Sequence, residues 1–243
     1  MILVLGGTTE ARELAGALHA RGAPVTTSLA GRVTRPRLPP GEVRTGGFGG
    51  PDALAAWLGE HGVRAVVDAT HPFAQRISAS VAVACTTAAL PLLRLERPGW
   101  RERAGDRWTW VDDLDAAARV VPALGERVLL TTGRQGLSAF AACAAAWFLI
   151  RCVDPPRPPL PPHHVVILDR GPYTLDGETA LIHRHRIDLV VTKDSGGDQT
   201  QAKLDAARAR GLPVIVVRRP PCAGGPAVTS VAGARDWALA HAG

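Results

Sequence analysis

The stretch Leu3-Val4-Leu5-Gly6-Gly7-Thr8-Thr9-Glu10-Ala11-Arg12 decides the fold class of this chain. It joins an apolar strand, expected over residues 2–5, to a helix expected over residues 9–21. In that helix apolar residues recur with the spacing of one helical face, and a glycine at position 22 ends it. A strand, a glycine turn and a helix in this order predict the first unit of a dinucleotide-binding fold.

The same alternation continues along the chain and predicts an α/β protein. We expect further strands at 24–29, 42–45, 63–68, 91–95, 128–131, 148–153, 165–169, 189–192 and 213–217, and helices at 51–61, 77–89, 137–146 and 200–210. Apolar strands that alternate with helices are typical of parallel sheets covered on both faces. We therefore predict two Rossmann-like doubly wound parallel-sheet domains, residues 1–122 and 123–243, with an active-site cleft between them and room for a strand exchanged between the halves.

Residues 98–113 interrupt this rhythm and hold Trp100, Trp108 and Trp110. Two interpretations stay open for these tryptophans: packing in the core, or a flat wall for a planar ligand.

Composition narrows the class of protein. The net charge of +6 favours an anionic ligand, but the basic residues are scattered and almost all are arginines. Scattered arginines suit a phosphorylated cofactor and a polycarboxylate better than nucleic acid. The cysteines and histidines show no metal-ligand spacing, so we predict no metal and a reducing compartment. No targeting segment is recognised, and we expect a cytoplasmic monomer or weak homo-oligomer that contacts neither membrane nor nucleic acid.

The glycine turn predicts a cofactor site at Gly6, Gly7, Thr8, Thr9 and Glu10. Compared with the pattern G-x-G-x-x-G/A, Gly6 matches, Thr8 replaces the second glycine and the alanine at position 11 fills the third place. A hydroxyl of Thr8 or Thr9 would then donate to a phosphate, beside the free N–H groups of the helix N-terminus. A plain tight turn is the alternative interpretation.

The end of the second strand predicts which nucleotide binds. Sites selective for NAD carry an acid about 20 residues after the turn, where it binds the ribose 2′-hydroxyl. No Asp or Glu lies there; the sequence instead reads Ser28-Leu29-Ala30-Gly31-Arg32. Ser28 and Arg32 would bind a 2′-phosphate, so we predict NADPH as the cofactor.

Two later strand ends extend this crevice. Gly47 lies in a Gly-Gly-Phe-Gly-Gly turn that suits close approach of the backbone to the cofactor, unless it is simply a flexible linker. Thr70 and His71 follow a buried strand, and we expect Thr70 to contact the cofactor. His71 would reach the nicotinamide end or supply a proton, or else cap a helix.

The second half carries loops rich in hydrogen-bond donors but no second nucleotide fingerprint. Arg134 follows one strand, and Lys193, Asp194, Ser195 and Gly196 follow another. We predict that these residues bind an anionic substrate; ordinary helix capping is the alternative.

A family resemblance extends over about 220 of the 243 residues. The blocks LVLGGTTEAR, SLAGR, GGFGG, DATHPFA, LRLERPGW, TTGRQ, VDPP, RGPY, VTKDSGG and VRRP occur in order between Leu3 and Pro220 and resemble the precorrin-6A reductase family. The resemblance implies reduction of one double bond of precorrin-6A by NADPH, giving precorrin-6B in cobalamin biosynthesis. Within these blocks we also assign Arg97 to the substrate, a tetrapyrrole edged with carboxylates. Alternatives are a cobalt-precorrin-6A reductase and a non-catalytic NADP-binding module.

Overall fold

The computed structural model describes residues 1–31, 33–221 and 225–242. Its contacts divide the chain into two compact units. Unit 1 comprises Met1–Pro98 and Pro220–Gly243, and unit 2 comprises Gly99–Arg219. Each unit is built on one six-stranded sheet whose paired strands are all parallel, which confirms the predicted Rossmann-like α/β class.

Unit 1 contains strands β1 (Ile2–Leu5), β2 (Val25–Leu29), β3 (Glu42–Thr45), β4 (Ala65–Asp68), β5 (Leu92–Leu95) and β12 (Ala227–Val228), and helices α1 (Thr9–His19), α2 (Pro51–Glu60), α3 (Gln75–Thr87) and α7 (Val231–Ala242). The strands lie in the order β3-β2-β1-β4-β5-β12. Chain order therefore reverses at β1, between β2 on one side and β4 on the other, as in dinucleotide-binding sheets.

The alternation of side chains along β1 explains why helices cover both faces of this sheet. Ile2 and Val4 pack in a cluster with buried residues of α1 and α7. Leu3 and Leu5 point to the opposite face and pack with buried residues of α2 and α3. All four side chains are essentially removed from water. Burial of each contributes roughly 1.5–3 kcal/mol, so an uninterrupted apolar run is stable only in a central strand.

Unit 2 contains strands β6 (Trp108–Val111), β7 (Arg127–Leu130), β8 (Trp147–Cys152), β9 (His164–Leu168), β10 (Leu189–Lys193) and β11 (Val214–Val217), and helices α4 (Leu114–Leu124), α5 (Leu175–His185) and α6 (Ala202–Ala209). The strands lie in the order β9-β8-β7-β10-β11-β6. Chain order reverses here at β7, so β7 and β10 of this unit correspond to β1 and β4 of unit 1.

One edge strand of each sheet pairs with a strand far away in the chain. In unit 1 it is β12, near the end of the chain, and it pairs with β5. In unit 2 it is β6, the first strand of that unit, and it pairs with the last, β11. The expected division after residue 122 differs from the division by contacts: β6 precedes that position and α4 spans it, yet both belong to unit 2, and β12 and α7 return to unit 1.

Unit 2 also differs from the sequence expectations locally. The helix expected over 137–146 is only a 3-10 turn, Leu137–Phe140, and its Phe140 packs edge-to-face on Phe148 with ring centroids 5.7 Å apart. Trp100 is buried in the core cluster of this unit, and Trp108 and Trp110 pack against the same cluster. Core packing is thus the observed role of all three tryptophans.

Among the described helices, none has the length and apolar character needed to cross a membrane.

Candidate cofactor and substrate sites

The reversal point of unit 1 lies between β1 and β4, where ligands of such sheets bind beyond the carboxyl ends of the strands. Gly6 allows close packing of the turn on β2, because a Cβ at this position would lie 2.9 Å from Cγ2 of Thr27. Gly7 has a φ of +114°, and a Cβ there would meet no atom within 4 Å. Gly6 is therefore fixed by packing, whereas Gly7 exposes a backbone that a phosphate can approach.

The Thr8 hydroxyl is committed to two hydrogen bonds within unit 1. It donates to the carbonyl oxygen of Ala69 after β4 at 2.8 Å and accepts from the N–H of Ala11 in α1 at 3.1 Å. A hydroxyl has one hydrogen, and here it is used. This corrects the expectation that the Thr8 hydroxyl donates to a phosphate. Thr8 caps α1 and holds the glycine turn against the loop after β4, and its contribution to a cofactor site reduces to its main chain.

Arg12 lies in the first turn of α1, where a cation is unfavourable. Its Nη2 donates to Oγ1 of Thr9 at 3.0 Å and its Nη1 to the carbonyl oxygen of Thr8 at 3.3 Å. The N-terminus of a helix is the positive end of its dipole, so a guanidinium there costs about 0.3–1 kcal/mol unless an anion lies nearby. Arg12 was not among the residues selected from the sequence. The sequence feature that could have identified Arg12 is a basic residue in the first helical turn after a glycine-rich loop.

Glu10 and Arg97 form an ion pair at 2.7 Å. Glu10 lies in the first turn of α1, and Arg97 follows β5 by two residues. Arg97 thus belongs to unit 1 and to the same sheet edge as the glycine turn. The other residues that we expected to bind substrate all lie in unit 2, so Arg97 belongs to a different unit from them.

The end of β2 meets an arginine that the sequence reasoning did not select. Arg44 of β3 is in register with Ser28, and its Nη1 donates to the Ser28 hydroxyl at 3.0 Å. The same guanidinium donates to the carbonyl oxygens of Gly46 at 3.2 Å and Gly47 at 3.1 Å. Ser28 is thereby connected to the glycine-rich turn after β3. Arg32, the other residue expected to bind a 2′-phosphate, lies outside the described residues.

A buried ion pair organises the loop after β4. Asp68, the last residue of β4, pairs with Arg94 of β5. Its Oδ1 accepts from the N–H of Thr70 at 3.1 Å and from the Thr70 hydroxyl at 2.7 Å, and Arg94 also donates to Ser78 of α3 at 2.9 Å. The Thr70 side chain therefore supports the loop instead of facing a ligand. Arg94 compensates the buried Asp68 carboxylate and also lies 3.4 Å from a carboxylate oxygen of Glu96.

His71 lies directly after this braced loop and is partly buried. Its Nδ1 accepts a hydrogen bond from the N–H of Phe73 at 3.2 Å. That contact favours the neutral tautomer with its hydrogen on Nε2, because a hydrogen on Nδ1 would face the N–H of Phe73. The ring is thus arranged to donate a hydrogen bond from Nε2.

Lys193 and Arg134 lie at the reversal point of unit 2. Lys193 ends β10, and Arg134 lies in the loop after the neighbouring strand β7. Burial lowers the pKa of Lys193. Its carbonyl oxygen accepts from the N–H of Ser195 at 2.7 Å, and Gly196 follows with a φ of +64°. These residues form a turn at the carboxyl edge of the sheet, in which the N–H and the hydroxyl of Ser195 both donate to the carbonyl oxygen of Lys193.

Asp194 has a different environment from its neighbours in this turn. Its carboxylate accepts from the N–H of Trp100 at 2.9 Å and lies 3.2 Å from Nε of Arg219. A Cβ at Gly99 would lie only 2.5 Å from Oδ2 of Asp194. The carboxylate is therefore engaged by Trp100, near the start of unit 2, and by Arg219, its last residue, and as an acid it would also repel a polycarboxylate. The expectation that Asp194 binds substrate is replaced by a structural role.

A second charged cluster is buried in unit 2. Arg151 of β8 pairs with Glu178 of α5, and its guanidinium lies 3.8 Å from the centre of the Tyr173 ring. Lys203 of α6 donates to the carbonyl oxygen of Thr200 at 2.8 Å. Burial, with a smaller contribution from Arg151, lowers the pKa of Lys203 to about 7, although Glu178 opposes this shift.

Comparison with known proteins shows what these two units belong to. Residues 1–239 match the family model described as precorrin-6x reductase CbiJ/CobK. The chain belongs to the precorrin-6x reductase family. The protein named precorrin-6A reductase from Rhodococcus erythropolis is 54% identical, with 97% of this chain and 96% of that protein covered. A protein named cobalt-precorrin-6A reductase from Priestia megaterium is 31% identical, with 90% and 91% covered.

A solved structure agrees with the family assignment. A CobK precorrin-6A reductase superposes with a TM-score of 0.93 at 43% identity, with 99% of this chain and 96% of that chain covered. The precorrin-6x reductase family consists of oxidoreductases.

For a reductase of this family, the structure groups the expected residues into two sets. Most expected cofactor residues follow the carboxyl ends of β1 to β4 in unit 1, together with His71 and Arg97. The expected substrate residues other than Arg97 follow β7 and β10 in unit 2. Sequence reasoning missed Arg12 and Arg44, which the fold brings to the first set.

Proposed function

We propose that this chain reduces one double bond of precorrin-6A to give precorrin-6B, with NADPH as the reductant. The observation that carries the proposal is the 54% identity, over nearly the whole of both chains, to a relative named precorrin-6A reductase. The relative named for the cobalt-containing substrate is 31% identical. This difference favours the cobalt-free substrate over the cobalt-precorrin alternative.

The residues of unit 1 fit a phosphorylated dinucleotide. Gly7 has open space around a positive-φ backbone, and Arg12 places a cation beside the N-terminus of α1. The guanidinium of Arg12 and the positive end of the α1 dipole together suit a pyrophosphate. At the end of β2, Ser28 contacts the guanidinium of Arg44 and, within the described part of the chain, no carboxylate, which suits a 2′-phosphate and disfavours an unphosphorylated ribose. NADPH, when bound, supplies a hydride.

The residues of unit 1 would bind the cofactor and orient it. The main chain of Gly7, Thr8 and Thr9 would hold the pyrophosphate, while the Thr8 hydroxyl keeps the turn against the loop after β4. Arg94 compensates the buried Asp68 carboxylate beside this loop. His71 would hold a hydrogen at Nε2 toward the reacting end of the site, since its Nδ1 accepts from Phe73. We infer orientation as its role, because proton transfer would require a protonated imidazole.

Unit 2 is proposed to bind the carboxylates of the tetrapyrrole. Arg134 and Lys193 supply positive charge near the carboxyl edge of β7 and β10, and Ser195 shapes the turn after β10 through its bonds to the carbonyl oxygen of Lys193. Arginine and lysine at a strand end recognise acetate and propionate groups through charge-assisted hydrogen bonds. Reduction adds one hydride and one proton across the double bond and yields NADP⁺. A cytoplasmic location accords with a soluble cofactor of this kind and stays a prediction.

The proposal is tested by anaerobic assays of purified protein with NADPH or NADH and with cobalt-free or cobalt-loaded precorrin-6A. We expect loss of NADPH absorbance together with formation of precorrin-6B, and faster turnover of the cobalt-free substrate. Bound NADPH that no precorrin oxidises would instead indicate a binding module without a reaction of its own. Preference for the cobalt-loaded substrate would assign the chain to the alternative reductase.

A further inference from the structure

Arg44 is held in a defined position at the carboxyl edge of β2 and β3. Its Nη1 bonds to the Ser28 hydroxyl and to the carbonyl oxygen of Gly46, and its Nη2 bonds to the carbonyl oxygen of Gly47. The guanidinium lies 3.7 Å from the centre of the Phe48 ring. Stacking of this kind orients the plane of the guanidinium. Its five N–H groups are thus aimed before any ligand arrives.

The charge of Arg44 has no carboxylate partner among the described residues, since its polar contacts there are neutral oxygens. Three other arginines that lie largely out of water are each paired with a carboxylate: Arg94 with Asp68, Arg97 with Glu10 and Arg151 with Glu178. Arg12 resembles Arg44, since its polar contacts among the described residues are neutral oxygens. Partial burial without an anion lowers the pKa of Arg44. A partly desolvated guanidinium without a counter-charge is stabilised when an anion binds to it.

The donors of Arg44 are not exhausted by the protein. The contacts of its guanidinium within the described chain use three of its N–H groups, and a guanidinium carries five. Nε–H and one hydrogen of Nη2 therefore have no acceptor in the described part of unit 1. The hydroxyl of Ser28, in register with Arg44 on the neighbouring strand, adds a further polar group at the same place.

We propose that Arg44 recognises the 2′-phosphate of NADPH and is the main determinant of selectivity against NADH. The inference rests on the proposed function, because it concerns the nucleotide site of unit 1. In dinucleotide-binding sheets the residue at the end of the second strand meets the 2′ position of the ribose. Here that residue, Ser28, holds the guanidinium of Arg44 instead of an acid.

The test measures binding of nucleotide fragments by calorimetry, so that it does not depend on turnover. The probes are 2′,5′-ADP, which carries the 2′-phosphate, and 5′-AMP, which lacks it. The variants are R44Q and R44K, with R32Q for comparison. R64Q is the matched control, because Arg64 is an exposed arginine of unit 1 just before β4, at the amino edge of the sheet.

We expect R44Q to weaken binding of 2′,5′-ADP about 10- to 100-fold, the value of a hydrogen-bonded charge pair, and to leave 5′-AMP binding unchanged. R44K keeps the charge but loses the fork of donors, and should lie between R44Q and the wild type. R64Q should bind both probes as the wild type does. Unchanged binding of 5′-AMP also serves as the check that the site of R44Q is intact.

Equal weakening of both probes by R44Q would overturn the inference, because Arg44 would then only support the turn after β3. Loss of 2′,5′-ADP preference in R32Q but not in R44Q would overturn it as well and assign selectivity to Arg32. These outcomes leave NADPH use itself intact. A wild-type protein that binds 5′-AMP as tightly as 2′,5′-ADP would overturn both the inference and the proposed NADPH dependence.

Discussion

Replacement of Thr8 by valine removes a hydroxyl that joins two loops of unit 1 while keeping the shape of the side chain. The hydroxyl caps α1 through the N–H of Ala11 and donates to the carbonyl oxygen of Ala69. Loss of an N-cap costs about 1 kcal/mol, and a buried acceptor without its partner costs a further 1–3 kcal/mol or so. We expect T8V to lower the free energy of unfolding by about 2–4 kcal/mol.

Urea unfolding of the wild type, T8V and T8S measures this change. T8S keeps the hydroxyl and should lose only about 1 kcal/mol for the missing methyl group. Calorimetric titration with NADP⁺ completes the test, since T8S should bind as the wild type does. A T8V protein of wild-type stability that has lost affinity for NADP⁺ would refute this reasoning, because the hydroxyl would then act on the phosphate and not on the turn.

Two further predictions concern unit 2, one of them against a glycine control in unit 1. G99A should destabilise the protein by roughly 1–3 kcal/mol, because its Cβ would lie 2.5 Å from a carboxylate oxygen of Asp194. The control is G59A in α2, where a Cβ meets no atom within 4 Å, and it should stabilise the protein by about 0.5–1 kcal/mol. Equal urea midpoints for the two variants would contradict this prediction. The pKa of Lys203 is about 7 in the folded state against its ordinary 10.5, so the unfolded chain binds more protons between these values and stability should rise with pH across that window. The wild type should therefore gain stability relative to K203M from pH 7 upward in urea titrations, and parallel curves would show that Lys203 is not desolvated.

Local pattern predicted the central strands well. The apolar run at β1 was expected with the bounds that the structure has, and so was β3, which lies at the edge of the sheet. A fully apolar run such as β1 has one stable place in an α/β chain, inside the sheet. The family resemblance was confirmed by the comparison with known proteins.

The pairing of strands that lie far apart in the chain could not be predicted from the sequence. Strand β12 has two residues and pairs with β5, more than 130 positions earlier in the chain, and β6 pairs with β11, the last strand of its unit. The predicted division after residue 122 differs from the division by contacts for that reason. Hydropathy along the chain says nothing about which sheet a short edge strand joins.

The candidate site shows the same limit at the level of side chains. Thr8 was selected for a hydroxyl that the fold uses for Ala69, sixty-one positions away in the chain. Arg44 was overlooked because it meets Ser28 only when β2 and β3 pair. Asp194 was grouped with its neighbours in sequence, although its partners Trp100 and Arg219 lie at the two ends of unit 2. The sequence shows which polar side chains are present, whereas the residues they bond to depend on how the strands and loops are arranged in the fold.

The most direct test of the central claim, reduction of precorrin-6A by hydride from NADPH, is isotope transfer. Single-turnover reactions would use purified protein, precorrin-6A and NADPH deuterated at one or the other face of the nicotinamide C4. The account predicts that deuterium from one of the two labelled cofactors appears in the precorrin product by mass spectrometry, and that deuterium from the other stays in NADP⁺. Reduced product without deuterium from either label would contradict it.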